Sequence, residues 1–116
     1  MVCYLLSDDL LFTSRITGTA RDLALDVRAA RSLVQLHNLF GQKSASCLLL
    51  DLHFPGLSIA DLLESLTDPR PFTVGYGSHV DTATLKAARD AGCDLVLPRS
   101  KFVEELPKAL AGWVKG

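Results

Sequence analysis

A chain of 116 residues with 48% hydrophobic and 22% charged residues has the size and balance of one folded domain, and excludes a disordered or low-complexity segment. Lys and Arg number 12 against 13 Asp and Glu, a formal charge of −1, so no overall basicity draws the chain to nucleic acid or an anionic membrane. No apolar stretch is long enough to span a bilayer, and Met1–Leu6 has neither the basic lead nor the length of a signal peptide, which predicts a cytoplasmic protein.

Val2–Leu6 is apolar with β-branched and aromatic members, a first buried strand, and Ser7-Asp8-Asp9 ends it with three groups able to cap a helix. From Leu10 the spacing of Leu11, Ile16, Ala20 and Leu23 predicts a helix packed on a sheet. Leu25–Ala29 alternates apolar with charged, the pattern of an edge strand. Ser32 is placed to cap a second helix through Leu33, Leu36, Leu39 and Phe40, stopped by Gly41. His37 on that helix has no partner at ligand spacing and reads as a surface residue.

The stretch Cys47-Leu48-Leu49-Leu50-Asp51 is a short apolar run without alternation, which reads as a strand covered on both faces. Its acid stands at the carboxyl end, the edge of an open parallel sheet where ligands bind. Pro55-Gly56 turns the chain, Ser58 opens a short helix with Ile59, Leu62, Leu63 and Leu66, and Asp68-Pro69-Arg70-Pro71 stops it. Phe72–Gly77 is a fourth strand followed by the loop Ser78-His79-Val80-Asp81. Asp81 caps a helix through Leu85, Ala88 and Ala91 that closes at Gly92, and Leu95–Leu97 is a fifth strand broken by Pro98-Arg99-Ser100. A last helix beginning near Ser100 would carry Glu104 and Glu105 in its first turn and turn Val103, Leu106, Leu110 and Trp113 inward.

Five strand–helix units joined by short connections predict one doubly wound parallel α/β domain over residues 1–116. Cys3, Cys47 and Cys93 are odd in number, widely spaced and set in or beside apolar runs, which predicts reduced thiols. His53 and His79 adjoin the third and fourth strands and could both approach the crevice, but read first as surface loop residues.

The five βα units, the paired acids after the first strand and the Asp51-Leu52-His53-Phe54-Pro55-Gly56 run ending the third together resemble the receiver domain of bacterial two-component response regulators. The resemblance covers essentially the whole chain and extends to Ala87-Ala88-Arg89-Asp90-Ala91-Gly92-Cys93-Asp94-Leu95-Val96-Leu97, which looks like that family's approach to its fifth strand. It implies a flavodoxin-like fold with strand order 2-1-3-4-5. It also implies Asp51 as phosphoacceptor, with Mg²⁺ held by Asp51, Asp9 and Asp8, the first two being the preferred ligands and Asp8 less well aligned. A hard divalent ion between converging carboxylates would relieve their mutual repulsion.

The departures from the family bear on function. Its lysine after the fifth strand, followed by proline, is here Arg99 followed by Ser100, with Lys101 two residues on; arginine is larger and its fork is not a point charge. The hydroxyl residue ending the fourth strand aligns with Tyr76 or Gly77, and Ser78 comes one residue late. Val96 stands where the switch aromatic belongs. The expectation is therefore a stand-alone receiver-like signalling module, not an enzyme, that acts by contact with a protein partner, a histidine kinase or a downstream target, with its phosphorylation altered or lost. The alternative is a working phospho-receiver in which Arg99 and Ser78 contact the phosphoryl group. The resemblance also makes a homodimer through the fourth and fifth helices conceivable. Asp51-x-His53-x-x-Gly56 fits the cobalamin-binding pattern as well, but follows the third strand where those proteins place it after the first.

Overall fold

The computed structural model describes residues 1–66 and 68–115. Strands β1 (Val2–Leu6), β2 (Asp26–Ala30), β3 (Cys47–Asp51), β4 (Phe72–Gly77) and β5 (Leu95–Pro98) form one sheet in the order β2-β1-β3-β4-β5, with every pairing parallel. Helices α1 (Leu10–Asp22), α2 (Leu33–Gln42), α3 (Ile59–Ser65), α4 (Thr82–Ala91) and α5 (Arg99–Lys115) follow the strands in turn. This is the predicted doubly wound arrangement, and none of the described helices is long and apolar enough to cross a membrane.

Four helix starts are fixed by side chains, as the residue types imply. Asp9, Ser32, Ser58 and Asp81 each accept a hydrogen bond from an amide in the first turn, satisfying a donor that would otherwise have no partner. At the other end of α4, Gly92 takes the left-handed conformation, φ 109°, that closes a helix without a Cβ penalty.

The central strands are buried on both sides, and their alternation sorts the core into two layers. Tyr4, Leu6, Leu48 and Leu50 face Leu36 of α2, Leu62 of α3, and Leu85 and Ala88 of α4. Cys3, Leu5, Leu49, Val74 and Tyr76 face Ile16 and Ala20 of α1 and Phe102, Leu106 and Leu110 of α5. Cys3 and Cys47 are buried free thiols and Cys93 is half-buried, its thiol pushed up to about 11 by burial and by the neighbouring charge of Asp94.

Three details differ from the sequence reading. In α1 the buried positions are Ile16 and Ala20, with Phe12 packed beside them, while Leu11 is 87% exposed; three successive apolar residues, Leu10 to Phe12, leave the helical phase open by one position. The edge strand starts at Asp26 instead of Leu25, because the Leu25 amide still bonds Ala20 O at the end of α1. No break follows β5: α5 starts at Arg99 and buries Phe102, Leu106, Leu110 and Val114. Glu104 and Glu105 then fall in its second turn, where they pair with Lys101 at 3.6 and 3.1 Å.

Candidate functional site

Asp51 is the last residue of β3, at the carboxyl edge of the sheet, and is only 5% exposed. Its Oδ1 accepts the His53 amide at 2.9 Å and its carbonyl accepts the Phe54 amide at 3.0 Å, so the chain turns tightly over it. Burial raises its pKa. The hydrogen bond from the His53 amide and the charge of Arg99 oppose that rise, and Asp8 adds to it.

The β1–β3 register ends with Leu6 opposite Leu50, so the next position, opposite Asp51, is Ser7. Ser7 is fully buried; its amide bonds Ala30 O, and its hydroxyl accepts the Asp9 amide at 3.2 Å. Asp9 in turn spends its carboxylate on the Phe12 amide at 3.0 Å. Of the two acids expected beside Asp51, Asp8 is the one whose charge reaches it, and Asp9 is a helix cap. The expected metal set of Asp8, Asp9 and Asp51 is not assembled: among the described residues no three His, Cys, Asp or Glu side chains come together at metal-binding spacing. The physical reason is the one-residue offset that puts a serine, not an acid, opposite Asp51.

Arg99 lies exposed in the first turn of α5 with its guanidinium carbon 5.6 Å from the Phe12 ring centre. Ser78 follows β4 directly; its amide donates to His53 Nε2 at 2.8 Å, and its hydroxyl lies 3.4 Å from the Val80 amide within the same loop. Val96, at the position of the missing switch ring, is buried in the layer under α2, α3 and α4.

Sequence reasoning missed two residues here. His53 accepts the Ser78 amide at Nε2, which leaves the ring proton on Nδ1, 3.9 Å from Asp81 Oδ2; the histidine thus ties the loop after β3 to the loop after β4. Gly77 makes room for it, since a Cβ there would stand 3.0 Å from His53 Nε2. That glycine, two residues past Gly75 in a strand, was the available signal. Tyr76 is the second. It pairs in register with Asp51, forms a three-ring cluster with Phe12 and Phe102 at centroid distances of 4.9 and 4.4 Å, and its buried hydroxyl has no hydrogen-bond partner among the described residues. Burial and the charge of Asp51 hold its pKa well above the usual phenol range; the Ser7 hydroxyl, a neighbour that could donate to the phenolate although it makes no hydrogen bond of full geometry with the neutral group, and Arg99 pull the other way.

No protein-family profile matches the chain, and no curated protein does. Solved structures do. A signal receiver domain of a response regulator from Bermanella marisrubri superposes with a TM-score of 0.83 at 19% identity, covering 97% of each chain. The chain has the response-regulator receiver fold. NtrX from Brucella abortus gives a TM-score of 0.82 at 13% identity over 98% of this chain, which spans 26% of that protein's length. A response regulator protein from Burkholderia pseudomallei, with a phosphorylated aspartic acid, calcium ion and citrate, gives 0.75 at 20% identity over 97% of this chain and 65% of its own. Placed in the receiver frame, Asp51 ends the central strand, Arg99 starts the last helix, and a glycine ends β4.

Proposed function

We propose that this chain is a cytoplasmic receiver-like signalling module, not an enzyme, that works by contact with a partner protein and whose phosphoryl switch is altered or lost. One observation carries the reading: the carboxylate at the end of β3 is buried opposite Ser7, with one of the preferred ligands, Asp9, capping α1. A phosphoryl group on Asp51 would add negative charge to a pocket in which only Asp8 and Asp51 remain as candidate ligands for a divalent ion. Two carboxylates, a phosphoryl oxygen and water could still hold Mg²⁺ there, so the acids alone do not remove the switch, and the missing switch groups weigh beside them.

The receiver switch needs a hydroxyl that moves with the phosphoryl group and a ring that follows it. Gly77 offers no hydroxyl, Val96 no ring, and the loop that carries Ser78 is held by His53. The carboxyl edge also presents Leu11 and Val80, 87% and 76% exposed, on α1 and on the loop after β4, apolar groups suited to a protein contact. Pairing of two copies is a further form this contact could take.

A second reading keeps Asp51 as the phosphoacceptor, with Arg99 and Ser78 contacting the phosphoryl oxygens. Its support is the charge of Arg99, close enough to favour the ionised Asp51 carboxylate. Fluorine NMR of beryllofluoride with Mg²⁺ separates the two. The first reading expects no saturable bound signal at millimolar Mg²⁺; a bound signal that disappears in Asp51→Asn would overturn it and establish the second.

A further inference from the structure

Beside Asp51, but not lined by it, a cleft of about 520 Å³ opens between α1, the start of α5 and the loop after β4. Phe12 and Val103 supply apolar wall, Ser78 and Ser100 hydroxyl groups, and Arg15 and Arg99 two guanidinium groups. The volume lies in the range of small-molecule sites.

Most Lys and Arg of this surface have no carboxylate partner among the described residues; what sets this cleft apart is that two of them, Arg15 and Arg99, line it together. Arg28, Lys86 and Lys101 each have a carboxylate within 4 Å, whereas Arg15 and Arg99 have none among the described residues. Asp51 feels the charge of Arg99, yet its Oδ1 is bonded to the His53 amide and it forms no ion pair with the arginine. The remaining wall residue is His79, so no acid lines the cleft. Two like charges directed at one cavity are stabilised by an anion between them, and planar guanidinium groups bind phosphoryl oxygens in pairs.

We propose that this cleft binds a small phosphorylated compound non-covalently, its phosphoryl group held between Arg15 and Arg99 and its remainder against Phe12 and Val103. The site goes beyond the signalling reading and does not depend on it. Arg15 has no part in an acyl phosphate at Asp51, and a ligand held here needs no phosphoacceptor.

Inorganic pyrophosphate is the probe, titrated by calorimetry and by amide NMR at constant ionic strength into the wild type, Arg15→Gln and Asp51→Asn. Saturable binding is expected, with shifts at Arg15, Ser78 and Ser100. Affinity should fall at least tenfold in Arg15→Gln and stay within about twofold of wild type in Asp51→Asn. Absence of saturation at 10 mM, or unchanged affinity in Arg15→Gln, overturns the proposal. Loss of binding in Asp51→Asn alone also overturns it, by assigning the anion to the Asp51 pocket. Arg15 is exposed on α1, and the amide spectrum of the variant reports its fold in the same experiment.

Discussion

The two faces of the sheet are each built around a fully buried tyrosine, and the two tyrosines are treated differently. Tyr4, in the aliphatic layer under α2, α3 and α4, directs its hydroxyl to two carbonyls at the end of α2, Leu39 O at 2.9 Å and Lys43 O at 2.6 Å. Tyr76, in the aromatic layer under α1 and α5, stacks with Phe12 and Phe102, and Phe102 stacks on Trp113 at 5.8 Å, but its hydroxyl finds no partner. A buried polar group is normally satisfied, and exceptions collect where structure serves something besides stability. Two such groups occur among the described residues, Thr13 of α1 and Tyr76, and Tyr76 pairs in register with Asp51. One face of this molecule is finished as a core; the other keeps polar groups unsettled at its upper edge.

Four substitutions sharpen that contrast, in falling order of effect. Phe102→Ala removes the ring at the centre of the aromatic layer and is expected to destabilise by about 3–5 kcal/mol, read by urea unfolding. A loss below about 1 kcal/mol would show that the stack is not what holds α5. Tyr4→Phe strips the donor from two carbonyls and should lose about 1–2 kcal/mol.

Asp51→Asn keeps the acceptor for the His53 amide while deleting a buried charge, and is expected to gain about 1 kcal/mol at pH 7, a few degrees in Tm. Its pH dependence follows from the raised pKa. The folded state holds the Asp51 proton to higher pH than the unfolded state, so wild-type stability declines as pH rises from the usual carboxylate range through the folded value. The advantage of the asparagine should therefore vanish in acid, where both side chains are neutral; thermal melts between pH 3 and 8 check this. Tyr76→Phe, chemically the same change as Tyr4→Phe, is expected to alter stability by no more than about 0.5 kcal/mol, with a gain the expected sign. If the two tyrosine variants lose equally, the contrast between the faces fails.

Much of this was legible in the chain. The unbroken run Cys47–Leu50 could only be a strand covered on both sides, and Ser32, Ser58 and Asp81 announced their helices because a free first-turn amide takes such a group. Asp51 was legible as the end of a central strand, at the carboxyl edge of the sheet, for the same topological reason. Less visible was anything decided by a single position. Leu11 and Phe12 are adjacent and apolar, as are Trp113 and Val114, and periodicity cannot choose between neighbours, so the inner stripes of α1 and α5 each came out partly displaced. The roles of Asp8 and Asp9 turned on whether Ser7 or Asp8 faces Asp51, a matter of strand register. His53 was invisible as a tie because its partner is a backbone amide in another loop, and a backbone amide leaves no mark in the sequence.

The tie at His53 also bears on what a hydroxyl side chain at position 77 would meet. Placing threonine at position 77 would set a Cβ 3.0 Å from His53 Nε2, where the ring is already held by the Ser78 amide. The imidazole would have to give by a few tenths of an ångström, which strains its bond to the Ser78 amide and loosens the loop after β4. Gly77 and His53 are in this sense one structural unit: the side chain that the glycine lacks is the room that the imidazole occupies.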